Sequence, residues 1–217
     1  ETFFDENPTF YNNLRLIKFE ADYKNKCNYN KIKTKLLSLN FIKILEGFQN
    51  VWIKINKIDF FTMSVNNPSI LNETYKNLKH NINDLNLQEQ TLYLNIDPHP
   101  DNNNITENYN IAKKYFKDVK ITYNTECNCT SSFIKGIKSV QSEYCFILEA
   151  NKFIIKKFNI KNLIYLLESE DNIIEVCLNP FNVQYLTSHP SIWKTNKLKN
   201  MINYFSFFLN YEYQLRE

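Results

Sequence analysis

SEYCFILEANKF, residues 142–153, holds an unbroken apolar and aromatic run over 144–147 that Leu148 extends. Such a run reads as a strand buried on both faces. It stops at Glu149-Ala150-Asn151, which places an acid and an amide two positions apart. In an open α/β sheet, ligands sit beyond the carboxyl ends of the strands. The polar tip of this strand is therefore the first place to expect chemistry.

Outward from that strand the chain alternates. Residues 58–65 read as a strand ending at Asn66-Asn67, and Pro68 stands where a helix can begin. Leu71, Thr74, Tyr75, Leu78 and Ile82 then recur at helical spacing. Residues 91–96 form the next strand, closed by Asp97-Pro98-His99-Pro100, where two prolines forbid continuation. Thr106 can cap a helix with Tyr109, Ala112 and Phe116 on one face, and 119–123 is a further strand. Asn128 or Thr130 starts a helix that buries Phe133, Ile134 and Ile137. After 144–148 come a helix marked by Ile160, Leu163, Ile164 and Leu167, a strand over 173–178, and an aromatic helix over about 197–209. Short links between alternating strands and helices imply right-handed crossovers and a mainly parallel α/β sheet with helices on both faces.

Residues 1–57 are less regular. The first thirty read as an irregular or weakly helical arm, 31–46 as one helix closed by Gly47, and 51–55 as a strand. The expected division is an N-terminal extension, 1–57, and a main domain, 58–217. The N-terminal arm and the aromatic C-terminal helix could form a subunit interface in a homo-oligomer.

Composition excludes several classes. With 217 residues, 43% of them hydrophobic, the chain can bury one full-sized core. A net charge of +3, from 26 basic and 23 acidic residues, argues against a concentrated nucleic-acid-binding face. Only two glycines are present, Gly47 and Gly136. P-loops and Gly-x-Gly-x-x-Gly turns need several together to let the backbone reach phosphate, so neither exists here. Of the five cysteines, Cys145 and Cys177 lie in apolar runs and read as buried thiols of a reducing compartment, the cytoplasm. Cys127-x-Cys129 has the wrong spacing for a zinc knuckle. No run of about 18 apolar residues spans a membrane, and no signal peptide is read at the start, which opens at Glu1. Sequons at Asn72, Asn104 and Asn128 are expected by chance in so Asn-rich a chain.

Four stretches in this order, LYLNIDPHPD (92–101), the Asn128-Cys129-Thr130 helix start, YCFILEAN (144–151) and SHPSIWKT (188–195), resemble glycosyltransferases of the GT-A fold, family 2-like. The likeness covers about 58–217 and is nearest to a viral-type subgroup with Asn-x-Asp-Pro, Asn-Phe-Thr and Leu-Glu-Asp-Asp at these places. It implies a nucleotide-diphosphate sugar, a UDP-sugar, as donor and an acceptor hydroxyl on a glycan or protein, with inversion at the sugar. Ser64 and Val65 would then lie under the base. Asp97 would accept from a uracil N–H or a ribose hydroxyl, or else cap the turn at Pro98. Asn128 and Thr130 would offer a helix start to the diphosphate, or serve as plain caps. Glu149 and Asn151 match the Asp-x-Asp metal motif in degenerate form. A divalent Mn²⁺ or Mg²⁺ favours carboxylate oxygen, and an amide is a weaker, neutral ligand, so any metal binding here is weak. Lys152 or Lys135 could supply the charge instead. Asn210-Tyr211-Glu212 stands where the subgroup has Asn-Pro-Glu, which makes Glu212 the candidate base. His189 is a candidate contact for donor or acceptor. Trp193 is a core residue by default. The alternative reading is a non-catalytic GT-A-like binding or assembly module.

Overall fold

The computed structural model describes residues 14, 16–20, 29–45, 49–54, 57–98, 104–124, 128–178 and 190–205. Its centre is a six-stranded sheet in the order β6-β5-β4-β7-β9-β8. The strands are β4 (Ile58–Val65), β5 (Thr91–Asp97), β6 (Asp118–Tyr123), β7 (Tyr144–Ile147), β8 (Glu175–Cys177) and β9 (Ser191–Lys194). β4 pairs in parallel with β5 on one side and β7 on the other, and β5 pairs in parallel with β6. Only β9 runs antiparallel, between β7 and β8. The mainly parallel α/β architecture is thus as the alternation implied, and the run at 144–147 is buried throughout.

Helices cover both faces. On one lie α2 (Pro68–Asn81), α3 (Ile105–Tyr115) and α5 (Ile160–Ser169), whose Leu71, Tyr75, Ala112 and Ile164 pack on Phe60, Leu94 and Phe146. On the other lie α4 (Cys129–Ser139) and α6 (Thr195–Ile202), whose Phe133, Ile137 and Leu198 pack on Phe61, Tyr93 and Trp193. Period-2 alternation along the strands feeds both cores. Phe60 points to the first and Phe61 to the second. α2 starts as its sequence demands, with Asn67 Oδ1 accepting from the Ile70 amide at 3.2 Å and Pro68 at a first-turn position.

Several expectations need correction. The segment 31–46 is not one helix. Helix α1 is Tyr29–Ser38, and β2 is Phe41–Leu45. Asn40, at φ 62°, breaks the helix in the left-handed region, one of the few residues that tolerates it. β2 can then pair with β3 (Gln49–Lys54), which also pairs with β1 (Leu16–Glu20) inside the stretch read as an arm. The cause is tertiary: this small antiparallel sheet is apolar on both faces. Leu36, Phe41 and Trp52 form a core of their own, while Ile53 joins the main core with Leu16 and Ile44 beside it.

Further along, β8 covers only 175–177 because it is a short edge strand. Cys177 on it is exposed, not buried, while Cys145 is fully buried as read. In α3, Asn104 holds the N-cap position that Thr106 was expected to hold, and Asn108 takes the inward place assigned to Tyr109, which is exposed. α6 spans Thr195–Ile202, and Gly47 and residues beyond 205 lie outside the described residues.

α4 sits so close to the sheet that a Cβ on Gly136 would lie 2.0 Å from Cε2 of Phe61. Gly136→Ala should gain about 1 kcal/mol of helix propensity and lose more than that by overpacking. The expected net loss is about 1–2 kcal/mol, read from urea midpoints. An unchanged midpoint would mean that α4 slides away at no cost.

Candidate functional site

Three strand exits share one rim. Val65 of β4 is in register with Asp97 of β5. On the other side Leu148 donates to the Phe61 carbonyl at 2.9 Å, and Ala150 donates to the Met63 carbonyl at 3.0 Å. The ladder between β4 and β7 therefore continues past β7 into the tip at 149–151. Ser64 and Val65 lie between the two polar tips, with Asp97 on one side of β4 and Glu149 on the other. The sheet also reverses here. The chain steps outward from β4 to β5 and β6, then crosses back to β7 on the far side of β4. That reversal is a topological switch point, where open α/β sheets leave a crevice.

Each tip is held by side chains. Thr74 of α2 donates its hydroxyl to the Ala150 carbonyl at 2.5 Å. The Lys152 amide closes a turn on the Glu149 carbonyl at 3.1 Å. Glu149 is half-buried, Asn151 is exposed and Lys152 is half-buried. On the β4 side, Asn66 is buried at φ 25°, and its Oδ1 accepts from Asn108 Nδ2 at 2.6 Å. This asparagine pair fixes the sharp exit of β4.

Asp97 is 4% exposed and is the hub of a polar network. Its Oδ1 accepts from Asn124 Nδ2 at 2.8 Å, Ser132 Oγ at 2.5 Å and Asn95 Nδ2 at 3.3 Å. Lys135 Nζ donates in turn to Asn124 Oδ1 at 3.3 Å, and Thr122 Oγ1 to Asn95 Oδ1 at 2.8 Å. The carboxylate thus ties the end of β5 to the end of β6 and to the first turn of α4. Its Oδ2 takes no hydrogen bond among the described residues. Asn128 is the N-cap of α4, with Oδ1 accepting from the Ser131 amide at 2.8 Å, and Thr130 is buried in the same turn. Ser64 is 3% exposed, and its Oγ is buried with no partner among the described residues. Trp193 is core, its Nε1 donating to Ser191 Oγ at 2.8 Å.

The structure therefore brings Ser64, Val65, Asp97, Asn128, Thr130, Glu149 and Asn151 to one rim. Glu212 and His189 lie outside the described residues. Sequence reading missed Asn66, Asn108, Asn124 and Ser132. Ser132 had a legible signal, one helical turn beyond Asn128, whereas the asparagines are camouflaged by the abundance of that residue.

A divalent cation fits this donor set poorly. The tip offers one carboxylate and one amide, and no three His, Cys, Asp or Glu come together among the described residues. Hard cations of this kind take about six oxygens. The tip is therefore a weak place for such an ion.

No protein-family model matches the chain, and no curated protein matches it. Solved structures do. TarS of S. aureus superposes over 74% of this chain and 32% of its own, with a TM-score of 0.53 at 15% identity. The mannosyltransferase PcManGT of Pyrobaculum calidifontis, in complex with GDP-Man and Mn²⁺, covers 73% of this chain and 50% of its own, with a TM-score of 0.56 at 9% identity. S. aureus TarS 1–349 in complex with UDP covers 74% and 54%, with a TM-score of 0.53 at 12% identity. The chain thus spans about a third to a half of these proteins. The likeness establishes the fold, a GT-A, Rossmann-like α/β sheet.

Asp97→Ala leaves three buried donors without their acceptor and is expected to cost about 2–4 kcal/mol of stability. Ser64→Ala removes an unpaired buried hydroxyl and should leave stability unchanged or raise it by up to about 1 kcal/mol. Thermal and urea unfolding of the two variants checks both signs.

Proposed function

We propose that the chain is an inverting glycosyltransferase, of the viral-type family 2-like subgroup, that uses a UDP-sugar and an acceptor hydroxyl on a glycan or protein. The observation that supports this most is the meeting of the Ser64-Val65, Asp97 and Glu149–Asn151 tips on one rim at the switch point of the sheet. The same fold holds UDP in TarS 1–349 and GDP-Man in the mannosyltransferase. In this reading 58–217 is the transferase domain and 1–57 an extension. The buried free thiol of Cys145 suits a cytoplasmic location.

The base rests over Ser64 and Val65, and Asp97 Oδ2 accepts its N–H, while Oδ1 stays bound to the network that keeps the carboxylate rigid. The diphosphate lies toward the start of α4, where Asn128 and Thr130 present a helix N-terminus to negative charge. Lys152, half-buried beside the tip, adds a cation at the leaving group. The acceptor oxygen attacks the anomeric carbon, its bond to the diphosphate oxygen breaks, and the acceptor proton passes to the Glu212 carboxylate. His189 is the proposed contact for donor or acceptor.

The single carboxylate at the tip favours a second reading, a GT-A-like binding or assembly module without turnover, in which homo-oligomers form. Thermal shift with a panel of nucleotide sugars, with and without Mn²⁺, separates the two. A donor at a hundred times its Kd should stabilise the fold by about 2.7 kcal/mol, and the expected shift persists without Mn²⁺. No shift with any donor would favour the assembly module. Glu212→Gln is expected to abolish turnover with donor affinity intact, and unchanged turnover would remove Glu212 from the base role.

A further inference from the structure

Beyond Asn151 the chain runs KFIIKKFNIK, residues 152–161, and from 152 to 167 it holds four lysines and no acidic residue. The backbone of this stretch is pinned at two points. Ile154 is buried, and its amide donates to Asn77 Oδ1 at 2.7 Å. Its carbonyl accepts from Asn77 Nδ2 at 3.1 Å and Asn81 Nδ2 at 2.9 Å. Four residues on, the Phe158 amide donates to the Asn81 carbonyl at 2.9 Å, its carbonyl accepts from the Asn83 amide at 3.1 Å, and its ring stacks on Phe146 at 5.8 Å.

Ile154 is turned inward, and its two neighbours are turned outward. Phe153 is accordingly 51% exposed and Ile155 71% exposed. Lys156 and Lys157, between the two anchors, are exposed as well. Asp84 packs beside the start of α5. Its two oxygens accept from the Ile160 and Lys161 amides at 2.9 and 3.0 Å.

We propose that Phe153, Ile155, Lys156 and Lys157 form a docking patch for an anionic phospholipid surface. Apolar side chains flanked by lysines match the interface between headgroup and acyl chain, where the ring and the branched chain enter and the ammonium groups meet lipid phosphate or carboxylate. The charge is complementary to an acidic leaflet, and the asparagine clamps present the patch preformed. Among the described residues no helix is long and apolar enough to cross a membrane, and the proposed contact is a peripheral one. The patch follows directly on the 149–151 tip and would hold the candidate site beside the bilayer.

The test is cosedimentation of the full chain with vesicles of phosphatidylcholine alone and of phosphatidylcholine mixed with phosphatidylserine. Binding is expected to the mixed vesicles only, weakening as salt is added. Each lysine near an acidic surface contributes about fivefold, so Lys156→Gln with Lys157→Gln should weaken partitioning about 25-fold. Phe153→Ser with Ile155→Ser should weaken it further at high salt, where the apolar contact remains. All four side chains project into solvent, so circular dichroism and melting of both variants should match the parent. No sedimentation with either vesicle, or variants that bind like the parent, would overturn the proposal. So would equal binding to both vesicles, or a self-association that Phe153→Ser with Ile155→Ser abolishes while lipid binding is absent. Vesicle binding needs no nucleotide sugar, so this outcome is independent of donor recognition.

Discussion

β4 is hydrogen-bonded on both edges, and the rest of the molecule follows from that constraint. A parallel strand with two parallel neighbours cannot slip by one residue without turning its whole apolar set inside out. Phe60 and Phe61 feed different cores, so β4 has no face that could accept such a slip. Its register with β5 and β7 then dictates where each strand ends. That is what delivers Asp97 and the 149–151 tip to the same rim, with Ser64 and Val65 between them.

Around that rim amide and hydroxyl side chains brace the strand ends. Asp97 is enclosed by Asn95, Asn124 and Ser132, and Asn66 is paired with Asn108. A buried carboxylate that accepts several hydrogen bonds is fixed in place. Lys135 reaches it only through Asn124. In the proposed reading, this arrangement positions a nucleotide by hydrogen bonding and helix dipole, with the leaving-group charge met by lysine and backbone amides.

Five of the six strands of the central sheet were legible because their residues had no alternative, whereas β9, quoted only within the SHPSIWKT stretch, was not read as a strand. The run at 144–147, the Asn67-Pro68 helix start and the Asp97-Pro98 stop are local signals that tertiary contacts merely ratified. The N-terminal sheet was illegible for the opposite reason. Residues 41–45 have apolar spacing compatible with helix, and only Asn40 in the left-handed region together with the edge of β3 selects a strand. Cys177 reads as buried from its apolar neighbours, yet its strand is three residues long at the edge of the sheet and leaves it exposed.

The amino-acid sequence alone determined that this chain is an α/β protein without a glycine-rich phosphate loop, and that its polar residues gather just past its apolar strands. Both follow from side-chain periodicity and from glycine scarcity, which are local properties. Tertiary structure decided which of those polar residues face each other. Pairing across β4 and close packing of α4 at Gly136 join residues dozens of positions apart. No spacing along the chain encodes that Asp97 would meet Ser132 or that Asn77 would clamp Ile154.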